Sequence, residues 1–577
     1  MKKLSFLSGL LFFILIISVF FVDTNPPPNR ILEANLIAAF DLADQIPANC
    51  GEPTFHYQDL KTKAPLFEGL GNHTFPISSA TTEAQRYFNQ GLNLSYGFNH
   101  QEAHRSFKEA SRISPDAPMT YWGQAYALSP NINDYILDDE RKKAAYESMM
   151  KAVDNINQAN DLESALIHAL KSRFILVGNQ FEVDNERYVK EMQKVAEKYS
   201  DHPDVLTLYA DAIMTSMPWS YWEKDLTPKT NTMEAMSALK KAISINPKHP
   251  GAHHFRIHLT ELPFPEQAAE SGDALAPLMP GAGHMVHMPS HAYIRVGRYQ
   301  DAAKSNLKAI DADESYISQC YSQGIYPLAY YPHNIHFLWS AASIMGDSKT
   351  ALAAARKTAE KVPIGLLASQ PFMQEFAAVP IQTYVRFGKW DELLTIPYPG
   401  ELNHYNIFWH YGRGIAFIRK GILHEVQEEL DSLQSILNKD SYREIYATIN
   451  NSASVAEIAY NLVAAELLNA QGNVSQAEDH FKKAVSIEDD MIYYEPPSWH
   501  LSSRHYYGKF LVSHSEFQKA VSIYQEDLKK WQNNGWALMG LYKAYAGLGD
   551  KRKASETLNR FNQSWQFADI KIEGSVF

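Results

Sequence analysis

Beyond about Thr81 the chain repeats apolar residues every three to four positions, in stretches of about 12 to 16 residues broken by Pro or Gly. This pattern predicts amphipathic helices almost to the C-terminus, with few of the period-two runs that mark strands. One earlier stretch is different. Leu4 to Val22 carries no charge, Lys2 and Lys3 precede it, and Asp23 with Pro26, Pro27 and Pro28 ends it. A basic start, an apolar run and a polar break form an export signal. Residues 1–24 are therefore expected to be a signal peptide or signal-anchor, 25–80 a Pro-rich linker and irregular segment, and 81–577 the folded body. With the two lysines held inside, the body is expected outside the cytoplasm, periplasmic or in the cell envelope. It would touch a membrane only through the N-terminal segment.

The helices repeat. In the unit that starts at Ala84, Gly91, Ala103, Phe107, Ala110 and Pro115 stand at positions 8, 20, 24, 27 and 32 of a 34-residue helix–turn–helix period. Small residues at 8, 20 and 27 let two antiparallel helices approach, a large residue at 24 fills the gap, and proline ends the second helix. The phase recurs at Ala235, Leu239, Ala242 and Pro247, at Ala302 and Ala309 after Gly297, and at Ala351 after Gly346. It recurs again at Ala465, Gly472, Ala477, Phe481 and Ala484, at Gly508, Ala520 and Tyr524, and at Leu541, Tyr545, Gly549 and Ala554. This repeat resembles the tetratricopeptide repeat (TPR). The strings Gln90-Gly91-Leu92, Gly97-Phe98-Asn99-His100, Ala282 to His291 and Tyr331 to His336 are similar to a group of large exported bacterial TPR proteins with a His-rich central region. The resemblance implies an all-α, TPR-like α-solenoid wound as a right-handed superhelix; it implies no activity. Insertions interrupt the period at Asn131 to Asp138, Trp219 to Thr230 and Ser315 to Tyr331.

Charge and cysteine content narrow the chemistry. With 53 Lys+Arg against 65 Asp+Glu, the net charge is −12 in 577 residues, which argues against a nucleic-acid partner. Cys50 and Cys320 are the only two cysteines, so thiolate zinc sites and Fe–S clusters are excluded. In an oxidising compartment the two could pair; two free thiols are the other reading. Histidine is what remains. The chain has 22, and eight of them lie between His253 and His336.

The repeat phase gives those histidines a direction. In TPR units, positions 2, 5, 9 and 12 of the first helix share one face, toward the concave groove. Counting from Pro247 places His254, His258 and Glu261 there; from Pro280, His284, His287 and His291; from Gly346, His333 and His336. His253 falls off this face and is expected to pack between helices. Ligands from adjacent helices roughly 8 to 10 Å apart can converge on one ion, so a transition-metal site is expected in the groove at 249–340, with a dinuclear centre within reach. Imidazole and oxygen donors without thiolate suit Cu or Zn best and admit Mn or Fe. Met285 and Met288 point off the histidine face and read as packing.

Common hydrolase, NTPase and calcium motifs are absent. Glu261, three residues after His258, is the candidate general base, with an outer hydrogen-bond partner for an imidazole as its other reading. Tyr330, Tyr331 and Glu375 are candidates to line the ligand groove. His56, His73, His100 and His104 form a looser set, and Tyr493 to His500 reads as a loop that docks a partner or caps the stack. Two functions follow. One is a metal-dependent protein with redox or hydrolytic chemistry in a rigid His-lined groove. The other is a non-enzymatic adaptor whose concave face binds a peptide or partner protein.

Overall fold

The computed structural model describes residues 63–318 and 326–577; the expected signal segment and both cysteines lie outside them. Among the described residues no helix is long and apolar enough to cross a membrane.

Consecutive helices pack as antiparallel pairs along the chain, from Thr82–Tyr96 with His100–Ile113 to Gly535–Gly547 with Lys551–Ser564. The anchor residues do the work the repeat demands. Ala103, Phe107 and Ala110 are fully buried, as are Ala235, Leu239 and Ala242, and Ala477, Phe481 and Ala484. Phe107 is wedged between two glycines one repeat apart. A Cβ on Gly91 would lie 2.7 Å from its ring, and one on Gly123 would lie 2.4 Å from it. Tyr524 holds the same place between Gly508 and Gly540. Gly123→Ala is therefore expected to destabilise the protein by about 1–3 kcal/mol, because overpacking outweighs the ~1 kcal/mol that alanine gains in helix propensity. Denaturant unfolding measures this; an unchanged or raised midpoint would refute the wedge.

Two features depart from the helical pattern. Phe174–Val177 and Gln180–Val183 form an antiparallel hairpin closed around Gly178 at φ 62. The described part of the N-terminal segment, residues 63–80, is irregular but packed, with Ala64 and Phe75 buried. Side chains of the first helix hold it: Gln90 Oε1 accepts from the Phe67 N–H (2.8 Å), and Gln85 Oε1 from the Ile77 N–H (2.9 Å).

The turns between paired helices show one exception that matters for the site. Gly297, Gly346 and Gly472 occupy this turn with positive φ, as the left-handed conformation favours. In the first unit Phe98 takes it at φ 58, at a cost on the order of 1 kcal/mol or more. Its ring lies against the histidines described next.

Candidate metal centre

Three elements carry the histidines. Helix Pro250–Thr260 starts with Pro250 in its first turn and His249 as N-cap, whose Nδ1 accepts from the Ala252 N–H (3.1 Å); it presents His254 and His258 one turn apart. The short helices Gly283–His287 and Pro289–Arg295 carry His284, His287 and His291. Pro289 brings no N–H, but the His291 N–H bonds Met288 O (3.3 Å) and keeps His287 and His291 one turn apart. Helix Tyr331–Met345 contributes His333.

Six of these imidazoles gather into two trios. In the first, ligand atoms of His254, His258 and His284 all lie within 4.8 Å of one another; in the second, those of His287, His291 and His333 do. Each trio contains one close pair, His254 Nε2 to His258 Nε2 and His287 Nε2 to His291 Nε2, both at 3.0 Å. Two nitrogens that share an ion at about 2.0–2.1 Å stand roughly 3 Å apart. The trios touch: ring centroids are 5.8 Å apart for His258 and His291 and for His284 and His287.

The atoms behind the rings fix which nitrogen faces inward. His254 Nδ1 donates to Tyr96 O (2.6 Å). His287 Nδ1 donates to Asn306 Oδ1 (2.7 Å), an amide oriented by its own Nδ2 bond to Ala302 O. His291 Nδ1 lies 3.2 Å from Glu261 and 3.3 Å from Glu495, outside aligned hydrogen-bond geometry but within ion-pair reach. In the second trio this directs two Nε2 lone pairs at each other across 3.0 Å, an arrangement that needs a cation in the gap, either a proton or a metal ion. In the first trio, His258 Nδ1 and both ring nitrogens of His284 are buried with no hydrogen-bond partner, a state that costs about 1–3 kcal/mol per group. Burial, reinforced by the neighbouring imidazoles, holds His258, His284, His287 and His333 well below their usual pKa. They are neutral, the form that ligates metals. Burial opposes a charge on His291, but Glu261 and Glu495 outweigh it and lift this ring to about 9.

A third cluster behaves otherwise. Asp204 Oδ1 accepts from His73 Nε2 (2.7 Å), His249 Nε2 (3.2 Å) and Tyr96 OH (2.9 Å). His249 Nδ1 is already an acceptor, so its Nε2 carries the proton and has no lone pair to offer. This hub, which joins the N-terminal segment to three helices, is structural.

The expectation of an open groove is corrected. His254, His258, His284, His287 and His291 are buried and only His333 is half-buried, because the insertions fold over the concave face. Trp219 Nε1 donates to Asn133 Oδ1 (3.1 Å), and Asn133 Nδ2 donates to Tyr330 OH (2.9 Å). The Trp219 ring meets His258 at 5.1 Å and Tyr330 meets His284 at 4.8 Å. On the other side the 491–502 loop brings Glu495 to His291, so this segment, which lies between helices of the array, covers the histidine cluster.

The remaining expectations divide. Met285 and Met288 are packed in the core, as expected. His253 is likewise off the cluster, its Nε2 donating to Pro247 O (2.9 Å). His336 does not join the trios; its ring stacks on Trp339 at 5.0 Å. Glu261 stands behind His291 as its outer partner, which displaces the general-base reading. Tyr331 turns away to Glu314 (2.7 Å). Glu375 does not close the groove: it pairs with His404 Nε2 (2.6 Å). Sequence reasoning missed Glu495 and Phe98, whose ring lies 4.5 Å from His254 and 5.5 Å from His284.

Paired helices with small-and-large anchor packing at a repeating phase give the chain an all-α, TPR-like helical-repeat fold, with buried groups of His, Asp and Glu that could hold a metal ion. No family model and no curated protein matches the chain. Among solved structures, the human IFIT1 dimer with PPP-AAAA aligns over 84% of this chain and 91% of its own at 14% identity, TM-score 0.30. The P58(IPK) TPR domain aligns over 82% and 100% at 13% identity, TM-score 0.20, and the Naa15/Naa10 complex bound to HypK-THB over 84% and 71% at 13% identity, TM-score 0.21.

Proposed function

We propose that the protein holds two transition-metal ions side by side, one in each histidine trio, and uses the pair in redox chemistry on a small molecule. The observation that carries this reading is the doubled geometry: two sets of three imidazoles, each with a 3.0 Å nitrogen pair, in contact with each other. Copper fits best. Six imidazole nitrogens with no thiolate suit it, His291 giving up its extra proton as the ion binds, and a singly charged ion costs less to bury among Phe98, Tyr330 and Phe337, whose ring lies 4.4 Å from that of His291, than a doubly charged one. Zinc is the alternative and would support hydrolysis instead. The covered trios favour a small substrate reaching the half-buried His333 side over a peptide laid along the groove. With the export signal expected at residues 1–24, the centre would be loaded outside the cytoplasm.

Elemental analysis of purified protein without affinity histidines tests this. Close to two ions per chain are expected. No metal after incubation with Cu, Zn, Mn and Fe ions in turn would overturn the reading and favour the adaptor.

A further inference from the structure

Further along helix Tyr331–Met345 from His333, a second buried group of side chains has donors without acceptors. Arg386 is 4% exposed, and no carboxylate among the described residues forms an ion pair with it. Its Nη2 donates to His500 O (3.1 Å), its Nη1 lies 3.4 Å from His505 Nδ1, and the guanidinium sits 4.9 Å over Trp536. Its Nε–H is buried with no partner. Gln382, one helical turn earlier and 1% exposed, has an unpartnered Nε2. His500 bonds Ser340 Oγ through Nε2 (2.9 Å), which leaves its Nδ1 unpartnered. Trp339 links the group, 4.2 Å from the His500 ring and 5.0 Å from that of His336, whose Nε2 is also unpartnered. Asp527 is already committed to His505 (3.2 Å) and Ser502 (2.9 Å).

A buried guanidinium without a counter-ion is costly, and so is each unpaired donor. Burial lowers the Arg386 pKa only to about 10, so the group stays charged at neutral pH. Water could satisfy the donors, and the Asp527 carboxylate behind His505 acts on the charge from a distance, but burial still outweighs it. We propose that these side chains form a binding site for a small oxyanion, held by the Arg386 Nε–H and the Gln382 amide, with His500 Nδ1 beside them. A carboxylate and a phosphate share this chemistry. The site uses none of the six clustered histidines and does not depend on a metal.

Melting temperature measured against inorganic phosphate and, separately, against acetate is the test, with chloride at equal ionic strength as the control. A saturable rise of a few degrees is expected for at least one of the two anions, and which one responds separates a tetrahedral from a planar ligand. Gln382→Glu places a carboxylate one turn from Arg386. It is expected to raise the melting temperature without added anion and to abolish the response. Gln382→Leu removes the donor without supplying charge and is expected to weaken the anion about tenfold. A wild-type protein indifferent to both anions, a response that survives both substitutions, or a crystal grown in the anion that shows only water at Arg386 would each overturn the proposal.

Discussion

With His287 and His291 both changed to Ala, the protein is expected to keep one metal ion and lose the other. These two residues supply two of the three donors in their trio, including the 3.0 Å pair. The other trio stands on helix Pro250–Thr260 and on His284, with His254 oriented by Tyr96 O and walled by Phe98. None of these supports is removed. Changing His254 and His258 to Ala is expected to give the mirror result. Affinity at the altered trio should fall by more than the roughly 10- to 100-fold that loss of an outer partner costs. His336→Ala is the control and should leave both ions in place. Metal content per chain, measured with circular dichroism to confirm folding, decides the matter. If either folded double variant retained both ions or lost both, the division into two trios would be wrong.

That six histidines converge was legible in the sequence because non-histidine residues set the phase. Pro247 and Pro280 lie at helix ends that the structure reproduces, and the spacing of His254 with His258 and of His287 with His291 survives even the break at Pro289. The phase gave a face but not its neighbours. Counted back from Gly346 along one unbroken helix, His333 and His336 stand about 60° apart, yet His333 joins a trio while His336 stacks on Trp339. Glu375 lies where its face requires, but spacing says nothing of His404, which claims it from a helix 29 residues on. The cover was not readable either. Asn133, Trp219 and Tyr330 meet through two hydrogen bonds between three separate insertions, and Glu495 arrives from a loop more than 200 positions after His291. Repeat periodicity encodes which way a helix faces, whereas the burial that converts an open groove into an enclosed site comes from segments with no period. Phe98 had one signal: a bulky residue where other units place glycine or, at Ser515, a small polar residue.

The metal-free protein is expected to be most stable near pH 7 and to lose stability steeply as the pH falls toward 5. Burial pushes His100, His254 and His336 down to about 3, and His258, His284, His287, His333 and His500 well below 6.5. In the unfolded chain all of these take a proton near 6.5. Below that pH the unfolded state therefore binds protons that the folded state refuses, and stability, complete above 6.5, is lost as the pH drops. Carboxyl groups oppose the trend. Burial lifts Glu102 and Asp313 to about 7, Asp211 to about 6 and Glu261 above its usual range, so the folded state holds protons there that the unfolded chain has released. Eight histidines outnumber four carboxyl groups, and each proton of the difference contributes about 1.4 kcal/mol per pH unit. On the alkaline side His291, raised to about 9 by Glu261 and Glu495, acts in reverse: its contribution is complete below 6.5 and is lost as the pH rises through 9. Bound metal blocks protonation of the clustered nitrogens, so the loaded protein should hold its melting temperature at acid pH values where the metal-free form has already lost it. Thermal unfolding of both forms from pH 5 to 9 measures this. A metal-free protein as stable at pH 5 as at pH 7 would mean that the imidazoles are charged in the folded state, and neutral, inward-facing nitrogens are what the two-ion reading requires.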